Sequence, residues 1–131
     1  MLFFKKPVES FEIITLRLSG MRFFCEYEIV CKGETSEISR YDFKFHDGER
    51  ERILNTSVTR DTSEILRVLN KCGVIGWNNF HGSHPRGVLD GTMFNFDAAV
   101  NGGVRIRADG SQNFPHHFRD FRQYIEDQLR G

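Results

Sequence analysis

Tyr41-Asp42-Phe43-Lys44-Phe45-His46-Asp47-Gly48-Glu49-Arg50-Glu51-Arg52-Ile53-Leu54 is the stretch on which the fold class turns. Apolar and polar side chains alternate up to His46, the period of a strand and not of a helix. Asp47-Gly48 then supplies two residues that accept positive φ, which is what a two-residue type I′ hairpin turn requires. A loop of that length pairs Phe45 with Arg50 and Tyr41 with Leu54. This register predicts one apolar face carrying Tyr41, Phe43, Phe45, Leu54 and Val58, and an outer face carrying Arg40, Asp42, Lys44 and His46.

Toward the N-terminus the alternation continues. Ile14, Leu16 and Leu18 share one face of a strand, and after a turn at Ser19-Gly20-Met21-Arg22 so do Phe23, Cys25, Tyr27, Ile29 and Cys31. Toward the C-terminus the period changes. Asp61-Thr62-Ser63-Glu64 reads as an acidic cap with a Glu three residues on, and Ile65, Leu66 and Leu69 follow at helical spacing until Gly73. Phe94, Phe96, Ala98 and Val100 form a further strand, joined through Asn101-Gly102-Gly103 to Val104, Ile106 and Ala108. A three-residue turn keeps both apolar sets on one face by pairing Val100 with Val104 and Phe96 with Ala108. Behind Pro115, the residues Phe114, Phe118, Phe121, Ile125 and Leu129 recur as one stripe of an amphipathic helix.

These elements predict an α+β protein, a single domain over residues 1–131. The expected architecture is one mainly antiparallel sheet of about six strands in the order β-β-β-β-α-β-β-α, with both helices on its aromatic face. The expected core holds Leu16, Phe23, Tyr27, Phe43, Leu54, Leu69, Phe94, Phe96, Ile106, Phe118 and Phe121. The first strand carries little charge beyond Glu12 and Arg17, so it reads as an unprotected edge where a homodimer would form by strand pairing.

Lys and Arg number 18 and Asp and Glu 18, spread evenly along the chain, a balance that argues against a nucleic-acid partner. No apolar run is long enough to cross a bilayer, which predicts no membrane partner. Leu2-Phe3-Phe4 ahead of Lys5-Lys6 inverts the order of a secretory signal, so the chain reads as cytoplasmic. Cys25, Cys31 and Cys72 are odd in number and lack CxxC spacing, which disfavours a disulfide framework or a zinc knuckle.

Trp77, Asp90-Gly91, Phe94-x-Phe96, Gly102-Gly103, Gly110-Ser111 and Phe114-Pro115 together resemble a group of small uncharacterised bacterial proteins. Their C-terminal half runs Trp, loop, Asp-Gly, strand, Gly turn, strand, Gly, Phe-Pro, helix. The resemblance implies the hairpin and helix of this half, and it brings no activity, cofactor or catalytic residue with it.

Residues 78–90 form a long, aperiodic segment and read as a mobile loop, the kind of segment that carries function in a small domain. Trp77, Phe80 and Arg86 make it a candidate surface for a protein or small ligand, which predicts a non-enzymatic binding module without a cofactor. His81, His84 and Asp90 could instead supply two imidazoles and a carboxylate to a metal-assisted hydrolase. Ser111, His116 and His117, at a strand-to-helix junction, offer donors to an anion. No nucleophile elbow or phosphate-binding glycine loop is present.

Overall fold

A computed structural model describes residues 6–21, 23–89 and 91–130. Strands β1 (Phe11–Ser19), β2 (Phe24–Cys31), β3 (Thr35–His46) and β4 (Glu49–Asp61) form a meander, followed by helix α1 (Thr62–Lys71) and a 3₁₀ turn (Val74–Trp77). Then come a two-residue strand β5 (His81–Gly82), the hairpin β6 (Met93–Val100) and β7 (Val104–Ser111), and helix α2 (Phe118–Arg130). The sheet order is β4-β3-β2-β1-β6-β7-β5, antiparallel throughout except for β5, which runs parallel to β7.

Both hairpin registers follow the sequence. Phe45 pairs with Arg50 and Tyr41 with Leu54 around Asp47 and Gly48, both at positive φ. Val100 pairs with Val104 and Phe96 with Ala108 around Asn101, Gly102 and Gly103, again all at positive φ.

One core lies between the sheet and the two helices. Ile14, Leu16, Leu18, Tyr27, Ile29, Ile38, Phe94, Phe96 and Ile106 meet Ile65, Leu69, Phe118, Phe121 and Ile125 there. Among the described residues the other face of the sheet carries no helix.

Several expectations are corrected. A seventh strand, β5, exists because residues 78–82 lie along β7, a contact too short to have a period. Tyr41, Phe43 and Phe45 stand on the helix-free face, since their β3 neighbour Ile38 is the residue opposite buried Ile29. Phe43 is half-buried there, Phe23 is 44% exposed and Leu54 54% exposed, so these three leave the core. A β-bulge separates Leu54 from Val58: Arg40 stands opposite Thr56 and Tyr41 opposite Leu54, leaving Asn55 as the extra residue. Asp61 makes no side-chain capping bond, and α2 begins at Phe118, with Phe114 stacked on it from the preceding turn. β1 lies in the sheet between β2 and β6, so it is no edge and cannot pair with a second copy. Among the described residues no helix is long and apolar enough to cross a membrane.

Candidate functional site

Strand alternation builds the site. With Leu16, Phe96, Ile106 and Ala108 turned to the helices, Thr15 and Arg17 of β1, Asn95 and Asp97 of β6, and Arg105, Arg107 and Asp109 of β7 stand on the helix-free face. The 78–82 segment adds a wall along the outer edge of β7. Asn79 N–H donates to the Arg107 carbonyl at 2.8 Å, Asp109 N–H to the Phe80 carbonyl at 3.0 Å, and Arg107 N–H to Asn78 Oδ1 at 3.1 Å. These bonds satisfy an edge that would otherwise be bare, and they bring Phe80 and His81 over the sheet. The result is a cleft of about 630 Å³.

Charges of both signs line it. Asp97 receives Arg105 at 3.0 Å and Arg107 at 3.4 Å, and His81 Nδ1 is bonded to Asp109 Oδ1. At its rim Arg17 donates to Glu26 at 2.7 Å, and Arg52 reaches the other oxygen of the same carboxylate at 2.7 Å. Burial pushes the Glu26 pKa up, but the two guanidinium bonds outweigh it and hold the carboxyl below its ordinary value.

A smaller cleft of about 250 Å³ shares His81, Asn95 and Asp109 and adds His84 and Ser111. His84 Nδ1 lies 2.8 Å from Ser111 Oγ and its Nε2 2.5 Å from the Val88 carbonyl. A carbonyl only accepts, so in the neutral ring Nε2 carries the proton and Nδ1 is free to accept from the serine hydroxyl.

The residues singled out from sequence fall in different places. Trp77 is 3% exposed, packed against Phe96, Phe118 and Phe121 with Nε1–H donating to the His116 carbonyl at 3.0 Å. It is a core residue and not part of the exposed loop surface. Phe80 is half-buried at the cleft wall and Arg86 is exposed on the loop beyond it. His81 and His84 reach the helix-free face as one group, but each is engaged by a β7 residue, and Asp90 lies outside the described residues. Among the described residues no three metal-ligating side chains come together. The anion cluster is divided: Ser111 belongs with His84, whereas His116 and His117 line a separate cleft at the start of α2, where His117 Nδ1 bonds Asp120 at 3.0 Å.

Arg17, Asn95, Asp97 and Asp109 join the site without having been singled out. Their signal in the sequence is the polar half of each strand's alternation, which a solvated sheet face shows equally. The cysteines play no part in either cleft: burial pushes the thiols of Cys25 and Cys72 up, away from the reactive thiolate. Comparison with family models, with curated proteins and with solved structures finds no match to this chain.

Proposed function

We propose that the protein is a binding module for a small polar ligand, held on the helix-free face of the sheet between Arg17, Asn95, Asp97 and Arg107 and covered on one side by Phe80 and His81. The observation that carries this reading is the cleft itself, about 630 Å³ and built from three strands plus a loop whose backbone is pinned to β7. That volume falls within the range of small-molecule sites. Three guanidiniums and two carboxylates along one cleft favour a ligand that both donates and accepts hydrogen bonds, with neither charge sign dominant. Amide and side-chain chemical-shift mapping with amino acids, short peptides, sugars and nucleotides tests it. Shifts clustered on Arg17, Asn95, Asp97 and Arg107, lost in Asp97→Ala, are the expected result. Perturbations confined to the α2 side, or none with any class, overturn it.

A second reading rests on the His84 and Ser111 pair alone. In it Ser111 Oγ adds to an acyl carbon as its proton passes to His84 Nδ1, the proton then leaves with the departing alcohol, and water releases the acyl group by the same route. Turnover of p-nitrophenyl acetate that disappears in Ser111→Ala supports this reading, and equal rates for the two proteins remove it.

A further inference from the structure

The two edges of the sheet are unlike. Residues 78–82 lie along β7, whereas β4, thirteen residues long, ends the sheet on the other side with no strand beyond it among the described residues. The two-residue turn makes His46 and Glu49 a hydrogen-bonded pair, and the ladder alternates from there, so Arg50, Arg52 and Leu54 direct their backbone groups away from β3. The bulge at Asn55 advances this alternation by one residue. Beyond it the outward positions are Ser57 and Thr59, and the side-chain faces change with them. Leu54 and Ser57 therefore share the helix-free face, while Ile53 and Val58, opposite Asp42 and Ile38, share the helix face.

We infer that two copies of this chain join their β4 strands antiparallel, about a two-fold axis passing between Asn55 and Thr56, into one continuous sheet. In this register Leu54 of one copy faces Ser57 of the other and Arg52 faces Thr59, all with outward backbone groups. Between them Ile53 packs against Val58. At the ends Glu51 meets Arg60 and Arg50 meets Asp61. Each residue lies on the same face as the one opposite it, and the axis repeats every pair.

Moving the axis by one residue keeps only one charge match, Glu49 with Arg60 or Arg52 with Asp61. In a strand without the bulge, matched faces would set Arg50 against Arg60 and Glu49 against Asp61, or one step along Arg52 against Arg60 and Glu51 against Asp61, like charges in either register. Alternating charge ordinarily guards an edge against foreign strands. Here Arg50, Glu51, Arg60 and Asp61 form no ion pair within the chain among the described residues; Arg50 lies over the Phe24 and Phe43 rings and Arg60 donates to Gln128 Oε1 at 2.7 Å, and a second copy supplies each of the four with an opposite charge.

Sedimentation velocity on the full chain across the micromolar range tests the pairing. The wild type dimerises. Glu51→Arg and Arg60→Glu each weaken the dimer by roughly tenfold, since the axis doubles the like-charge contact, and the combined E51R/R60E protein regains wild-type affinity. Thr59→Pro removes an outward N–H and leaves the β3 ladder whole, so the variant keeps its circular dichroism and sediments as a monomer. Amide exchange supplies a readout independent of folding variants: Arg52, Leu54, Ser57 and Thr59 slow as concentration rises. A wild-type monomer at high micromolar concentration overturns the inference. So do a combined variant no tighter than the single ones, a folded Thr59→Pro dimer, or a dimer in which those four amides exchange independently of concentration.

Discussion

Glu26 is nearly buried on a face with no helix above it, its side chain 3% exposed beneath Arg17 and Arg52. Arg52 lies over the Tyr41 ring at 3.8 Å, and Arg50 over Phe24 at 4.7 Å and Phe43 at 5.0 Å, so the aromatics of β2 and β3 and the guanidiniums of β4 shield one another and the carboxylate. A carboxyl whose folded pKa is depressed contributes stability that is complete above its unfolded value of 4.5 and is lost as pH falls through the folded value. Glu26→Gln is expected to cost about 1 kcal/mol at neutral pH, because it leaves Arg17 without a charge partner and Arg52 with Glu28 alone at 3.3 Å, both guanidiniums being half exposed to solvent. Urea melts at neutral and acid pH check this. The wild-type and variant midpoints converge on acidification, and a constant gap would mean that the carboxyl's charge is not what matters. Trp77 makes the contrasting case of a residue whose role is packing. Trp77→Ala is expected to cost about 3 to 5 kcal/mol, and Trp77→Phe less, as it keeps a ring but loses the bond to the His116 carbonyl. Equal stability of wild type and Trp77→Ala in the same melts would return Trp77 to the surface.

Gly82 and Gly110 are partners in the β5–β7 ladder, and the backbone of Asn113 crosses over both. A Cβ at either position would stand 2.3 Å from the Asn113 carbonyl oxygen, and at Gly110 also 2.7 Å from the Phe94 ring. Gly102, at φ 75° with open space around it, has only a backbone preference to satisfy. Gly110→Ala should therefore cost about 2 kcal/mol or more through overpacking, against about 1 kcal/mol for Gly102→Ala. The order of the two denaturation midpoints decides between a close approach and a turn. These contacts also mark where the sequence stops being readable. Both hairpins were legible because Asp47-Gly48 and Asn101-Gly102-Gly103 state their turns locally and the flanking alternation confirms the register. The apolar face of β3 was not, because aromatic and charged side chains cover each other on the open side, and nothing near Asn55 announces a bulge. β5 has two residues and no period. His81 and His84 were legible by type, but their partners Asp109 and Ser111 lie 28 and 27 residues away and are set by the parallel pairing of β5 with β7.

The N-terminal meander and the C-terminal hairpin are joined by the pairing of β1 with β6, where Leu16 stands opposite Phe96 across eighty residues of chain. Leu16 is wholly buried there. α1 carries the chain from the edge strand β4 across to the far half, and its Ile65 and Leu69 enter the same core as Phe118 and Phe121 of α2. With one core shared by both halves, neither can lose its packing while the other keeps it, so unfolding should be a single transition. Trp77, the one tryptophan of the chain, reports the C-terminal half through its contacts with Phe96, Phe118 and Phe121, while far-ultraviolet circular dichroism is dominated by the whole sheet and both helices. The two signals are expected to coincide in urea. Leu16→Ala should move both midpoints down together, by about 3 kcal/mol, although Leu16 belongs to the other half of the sequence. Circular dichroism falling before tryptophan fluorescence, or a Leu16→Ala shift in only one signal, would show that the β1–β6 seam divides two independently stable units.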